Sequence, residues 1–312
     1  MIFSKMKYRF ETSPGLSKPF LPLLLLLALG SLWGLSPAFT KFLALEGISP
    51  IGAVFWQTLI AGTGLLMIIL IRGVKVKFNQ RYVSYFAIMG SVGIALPNSN
   101  MVFVVEHIPA GLMSVIIVTA PVITYIVAVI IRLEKLDACR AAGVLLGLIG
   151  VGVLVLPRGS LPSADMLPYA LLAFITPTAW ALTNVYAEAA RPMEADSMVL
   201  AMGTMFSASI TALVASIATN TFHPIWLDFN VGDQALIAYG LITVCTFFLY
   251  FTVVSMSGAV YLAQVGYITT LMGLGWGAWF YGEEPSAWLW IAVVLVFAGL
   301  MLVNFGKRRN KI

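Results

Sequence analysis

The sequence predicts an all-α membrane protein: ten transmembrane helices in two inverted-topology repeats of five, with both termini in the cytoplasm. Three observations carry this. Sixty percent of the 312 residues are hydrophobic and ten percent charged, against about 25% charged in an ordinary soluble domain. The apolar residues gather into runs of about 20, the length that crosses a hydrocarbon core at about 1.5 Å per residue. A broken apolar hairpin near the middle of the chain returns, altered, near its end.

That hairpin occupies 108–156: an apolar run interrupted by Pro121, a charged elbow at Arg132-Leu133-Glu134-Lys135, and a glycine-rich run. Its echo begins at Ser257-Gly258-Ala259 and passes through Tyr281-Gly282-Glu283-Glu284-Pro285. Laying Ala110 on Ala259 lays Glu134 on Glu283 and Gly150 on Gly299. The heads of the halves agree too, since Trp33-Gly34-Leu35-Ser36 answers Trp180-Ala181-Leu182-Thr183.

Taken in order, the spans are expected at 20–40, 50–71, 82–104, 109–131, 138–156, 166–187, 197–218, 234–255, 259–281 and 286–305. The organisation is then a basic tail (1–19), a first repeat (20–156), a linker (157–165) holding Pro157, Gly159 and Pro162, a second repeat (166–305) and a second basic tail (306–312). The run at 21–39 is followed by no small-residue cleavage site before the next helix, so it is expected to remain as the first span. The interval 219–233, with His223, Pro224, Trp226, Asp228 and Asp233, is expected as an extramembrane loop with an interfacial tryptophan.

With the amino terminus inside, every lysine and arginine except Lys41 and Arg158 falls in a cytoplasmic interval, as the positive-inside rule requires. Five is an odd number, so the second repeat enters the membrane in the opposite sense. Glu134 then faces the cytoplasm and Glu283 faces outward. The net charge of +5 reports orientation and not a nucleic-acid surface, which needs basic residues gathered on one solvated face. Cys139 and Cys245 stand apart in apolar context without CxxC or a nearby histidine, so neither a disulfide nor a metal site is expected. There is no HExxH, GxSxG, Walker loop or in-span carboxylate pair, and neither catalysis nor a cofactor is expected. The expected partners are the lipid bilayer and a small-molecule substrate, and a monomer suffices because both halves share one chain.

Inverted repeats are a device of secondary transporters, which place substrate between the halves near the midplane. The motifs here resemble a known family. Trp33-Gly34, Lys41, Glu46-Gly47-Ile48-Ser49-Pro50, Ala110-Gly111-Leu112, Pro121, the Glu134-Lys135 elbow and the glycines from Gly143 to Gly152 look like the ten-span EamA-type members of the drug/metabolite transporter superfamily. The resemblance implies two packed five-helix halves, a central cavity, and export or exchange of small metabolites across the cell inner membrane; it points to the aromatic amino-acid exporter branch. Two departures stand out. Gln57 occupies the place where many members carry an arginine, which speaks against an anionic substrate, and Leu133 replaces the glycine before the elbow glutamate.

No ionisable residue lies at a span centre, where it would be costly and functional by default. Glu46, Glu106, His107, Glu188 and Glu194 sit at ends or connections, where a solvated role is the plainer one. What the spans hold is neutral polarity and aromatic area. The substrate-binding candidates are Trp33 and Ser36 on one face of the first span, Asn98 and Ser99 after Pro97 in the third, Trp180 and Asn184 in the sixth, Tyr250 in the eighth and Gln264 in the ninth. Ordinary packing competes for the aromatics, and interhelical hydrogen bonds worth about 0.6 kcal/mol compete for the amides. The gating or hinge candidates are Pro121 and Glu134 in one hairpin and Gly273 and Glu283 in its echo. Two functions stay open: export of neutral or aromatic amino acids by alternating access, or efflux of aromatic cations or drugs held against rings.

Overall fold

The computed structural model describes residues 20–309 other than 75, 77–78, 133–135, 156–162, 193–194, 228 and 263–264. Among these residues the regular structure is helical throughout: α1 (Leu21–Gly34), α2 (Ser36–Leu45), α3 (Pro50–Ile71), α4 (Gln80–Gly90), α5 (Leu96–Val105), α6 (Ala110–Ile117), α7 (Ala120–Ile130), α8 (Ala138–Val155), α9 (Leu167–Ala173), α10 (Ile175–Ala190), α11 (Ser197–Ala218), α12 (Val231–Leu262), α13 (Val265–Tyr281) and α14 (Ala287–Arg309). Seven helical stretches among them are long and apolar enough to cross a membrane, and Ala138–Gly150 and Ala287–Leu302 are shorter apolar helices. The chain is a multi-pass integral membrane protein.

Proline explains where the expected spans break. It gives up one N–H and crowds the carbonyl a turn back, and hydrocarbon offers no water to satisfy what is freed. Pro37 and Pro177 follow the breaks at Leu35 and Phe174, and Pro121 follows the one between α6 and α7. At Pro97 a π-helical turn, Ser91–Ala95, joins α4 to α5. The Pro97 carbonyl is then met by the Thr176 hydroxyl at 3.0 Å, and Asn100 Nδ2 donates to the Leu172 carbonyl at 3.0 Å. The kinked helix is thereby held against α9 and α10.

One expected break is absent. Between 255 and 259 the chain was expected to leave the eighth span and begin the ninth, yet α12 runs unbroken from Val231 to Leu262. The matching position in the first half is Pro109, the N-cap of α6. Ser257-Gly258 carries no proline, so nothing forbids the next helical hydrogen bond.

Three helix pairs among the described residues lie side by side and antiparallel. At one end of the α3–α11 pair the Ser49 hydroxyl donates to the Thr221 carbonyl at 2.5 Å, and at the other Arg72 Nη1 approaches Met198 Sδ at 3.6 Å. In the α8–α14 pair Cys139, at the start of α8, reaches the Leu302 carbonyl near the end of α14 at 3.7 Å. In the α6–α13 pair Gly111 faces Leu274 while Gly266 faces Val118. The remaining contacts also come in matched sets: α1 packs on α13 and α12, as α10 packs on α7 and α5. The connection after α11 straps this core, because Trp56 Nε1 donates to the His223 carbonyl at 2.7 Å and His223 Nε2 pairs with Asp233 at 2.6 Å. It thus ties the start of α3 to the start of α12.

Close approach of α13 to α1 and α6 depends on Gly273. A Cβ there would overlap the Ser114 hydroxyl and lie 3.3 Å from the Gly34 carbonyl. Overpacking of this kind costs about 1–3 kcal/mol. Gly273→Ala is therefore expected to lower the melting temperature of the detergent-solubilised protein by several degrees, and Ser114→Gly added to it to restore part of the loss; an unchanged melt would count against the packing described.

Candidate functional site

A chain of neutral polar side chains crosses the interior between segments far apart in sequence. Gln57, on α3 and only 6% exposed, accepts at Oε1 from Asn98 Nδ2 of α5 at 3.4 Å and donates from Nε2 to Thr243 Oγ1 of α12 at 3.2 Å. Thr243 passes its own proton to the Tyr239 carbonyl at 2.8 Å. The Tyr239 ring, 4% exposed, stacks on Phe39 with centroids 5.6 Å apart. Pairing of this kind is what allows amides and hydroxyls to leave water.

Two turns further along α12, Tyr250 tilts against Trp33 of α1, with ring centroids 5.8 Å apart, and meets Phe251 edge-on at 5.1 Å. The structure therefore pairs Trp33 with Tyr250 on α12 and links Asn98 through Gln57 to Thr243 of the same helix, while Ser36 is half-buried on α2. Others stand apart. Trp180 is half-buried and Asn184 exposed on α10, and neither shares a hydrogen bond or ring contact with the network among the described residues. Ser99 is half-buried without a hydrogen bond to it, and Gln264 lies outside the described residues. Tyr239 was missed by sequence reasoning although it precedes Thr243 by four and Tyr250 by eleven, which puts all three on one helical face. A shallow groove of about 370 Å³ at the end of α11 is lined by Leu213, Ser216, Ile217, Asn220 and Phe222, none of which belongs to the network.

The second constellation surrounds Glu283. Gly282, at φ +60°, ends α13 in the left-handed conformation that glycine adopts without strain. The turn delivers Glu283 to the start of α6, where its two oxygens accept from the Ala110 and Gly111 N–H groups at 2.7 and 2.9 Å. Lys41 of α2 adds an ion pair at 2.6 Å and lies over the Tyr281 ring at 4.6 Å, while the Tyr281 hydroxyl donates to the Ala38 carbonyl at 2.6 Å. A side chain at Gly277 would fill the space the carboxylate occupies. Lys41 and Glu283 are 17% and 11% exposed, so the pair is shielded from water more than a surface salt bridge worth under about 1 kcal/mol. Of the other gating candidates, Pro121 lies in the first turn of α7 and Glu134 lies outside the described residues.

Kinked apolar helices packed as antiparallel pairs, with an uncharged polar network between them, define a polytopic membrane protein. The chain belongs to the EamA-like transporter family, whose model matches it twice, over residues 20–156 and 167–305. It is a membrane transporter of small substrates. A curated relative, an uncharacterized transporter called YvbV from Bacillus subtilis (strain 168), is 23% identical over 288 residues, covering 92% of this chain and 93% of that one. A solved crystal structure of 20% identity shares the fold with a TM-score of 0.59, over 92% of this chain and 98% of its own.

Removing a charge from the Glu283 cluster should loosen the contact between α13 and α6. In a background carrying Ala110→Cys, Glu283→Gln or Lys41→Gln is expected to raise the rate of labelling by a membrane-impermeant maleimide by roughly tenfold, the effect of weakening charge-assisted hydrogen bonds worth about 1.5–3 kcal/mol. Equal labelling rates would show that the cluster does not hold this end together.

Proposed function

We propose that the protein is a carrier of the cytoplasmic membrane that exports neutral or aromatic amino acids by alternating access, binding them at the Gln57 network and the Trp33–Tyr250 pair. The observation that carries this reading is the network's chemistry: it is centred on the buried Gln57, joins helices from both matched segments, and contains no formal charge. A zwitterion can be held by amides, hydroxyls and helix ends without a full counter-charge. A phosphorylated solute would want buried arginine or lysine.

Two inverted repeats, at 20–156 and 166–305, underlie the proposed mechanism. Antiparallel packing of α3 on α11, α6 on α13 and α8 on α14 supports them, because inversion sets each helix head to tail against its own counterpart. Arg72, Arg81, Arg132 and Arg191 follow or begin helices at one end and Lys41 lies at the other, which supports cytoplasmic termini. In this scheme Glu283 closes the outer side and the hairpin around Pro121 and Glu134 closes the inner one. Transport is facilitative, since the network contains no carboxylate or histidine to carry a proton. One chain suffices as the working unit.

The Trp33–Tyr250 pair favours a second reading, efflux of aromatic cations, because ring faces attract a cation without an anionic partner. Counterflow in proteoliposomes separates the two. Neutral aromatic amino acids are expected to exchange saturably and to compete better than aromatic cations, with Gln57→Leu raising KM roughly tenfold for the loss of two hydrogen bonds and Thr63→Val, whose hydroxyl bonds only its own helix, changing little. Failure to exchange any amino acid in either direction would sink the first reading, and a cation winning the competition would establish the second.

A further inference from the structure

The hydrogen bonds around Gln57 have a direction, and one atom fixes it. The Tyr239 carbonyl can only accept, so the Thr243 hydroxyl, 2.8 Å away, gives it the proton. Thr243 Oγ1 is then left to accept, which turns the Gln57 amide nitrogen toward it at 3.2 Å and the Gln57 oxygen toward α5. Asn98 must in turn offer Nδ2 to that oxygen, at 3.4 Å. Its own Oδ1 is left over. Among the described residues no donor reaches Asn98 Oδ1, whereas the other polar side-chain atoms of Asn98, Gln57 and Thr243 are each paired.

Helix α5 is held so that Asn98 keeps this position. Asn100, two residues on, projects about 200° around the helix from Asn98, and its Nδ2 donates to the Leu172 carbonyl at 3.0 Å and to Thr176 Oγ1 at 3.1 Å. The Thr176 hydroxyl meets the Pro97 carbonyl at 3.0 Å. One side of α5 is thereby fixed to α9 and α10, and Asn98 on the other side reaches α3. Its half-buried oxygen is an unmatched acceptor inside a membrane-spanning stretch, where such an atom is costly.

We propose that Asn98 Oδ1 is the subsite that reads the N–H groups of the solute's amino group, with Gln57 and Thr243 as positioning residues that keep the oxygen, and not the amide nitrogen, turned to the solute. The inference rests on the carrier reading and narrows it to solutes bearing a primary amine. The rings of Trp33 and of Tyr250, on the same α12 that carries Thr243, favour the positive charge of such a group. The oxygen adds a requirement for N–H that rings do not make. A monocarboxylate without the amine satisfies neither, and a quaternary ammonium satisfies only the rings.

The test uses the full-length protein in phosphatidylcholine nanodiscs and equilibrium binding of four labelled probes: L-phenylalanine, phenethylamine, its N,N,N-trimethyl derivative and 3-phenylpropionate. The two primary amines are expected to bind best. Asn98→Leu should weaken both by roughly tenfold, the loss of a charge-assisted hydrogen bond, and leave the other two probes unchanged. Thr243→Val removes the atom that sets the direction and leaves Asn98 in place, so it should also cut the preference for phenylalanine over 3-phenylpropionate. Melting temperatures establish that each variant is folded, and Thr243→Val carries the test where Asn98→Leu is not. Tight binding of 3-phenylpropionate to match phenylalanine, of the trimethyl derivative to match phenethylamine, or an unchanged preference in the folded variants overturns the subsite. Counterflow by the wild-type protein judges the carrier reading separately: Asn98-dependent amine binding without counterflow removes that reading and leaves the subsite, whereas phenylalanine counterflow with an unchanged KM in Asn98→Leu does the reverse.

Discussion

A carboxylate that leaves water at the edge of a bilayer persists only where donors replace the water it gives up. Glu283 finds three, and each is prepared by another feature of the chain. Pro109 precedes α6, so Ala110 and Gly111 present N–H groups that no earlier turn of helix can satisfy. Gly282 reverses the chain after α13, Gly277 leaves room for the carboxylate, and Lys41 supplies the charge from α2. Helices α2, α6 and α13 meet at this one group. Their close packing deeper in, where Gly273 admits Ser114 and Gly34, continues the same contact into the membrane.

Away from the ends the chemistry changes, and the dielectric is the reason. Charge at mid-membrane costs at least a few kcal/mol, whereas an amide or hydroxyl is tolerated once its donors and acceptors are matched. The Gln57 chain is such a match, running in one direction from Asn98 through Thr243 to the Tyr239 carbonyl. The same cost applies to whatever passes. In the proposed function a solute bound at this network must either bring no charge or bring opposite charges that compensate each other.

Much of the fold was legible because the bilayer constrains the sequence so strongly. The limits expected for the second and seventh spans coincide with α3 and α11, and in-span prolines marked the kinks. The candidate site was legible only in part. Spacing revealed that Trp180, Thr183 and Asn184 share a face, but not where that face turns: Thr183 lies against Gly93 and Asn184 is exposed. In a soluble helix the polar face would be the solvated one; in a membrane helix neutral polar residues serve packing as readily as binding, so that inference is lost. Register alone singled out Glu283, yet its partner Lys41 stands 242 residues away, and no local pattern joins them.

The carboxylate clasp has no sequence counterpart in the second half of the register. There Pro109 corresponds to Gly258 and Lys41 to Glu188. No free helix start exists at that second position, because α12 runs through Gly258 without a break, and the residue matching the lysine is an acid. A clasp of the Glu283 kind is therefore specified once in the chain: it needs a proline that frees two N–H groups and a lysine that reaches them, and only one half supplies both. In the proposed carrier, where that end faces outward, the asymmetry favours a resting state closed to the outside and open to the cytoplasm.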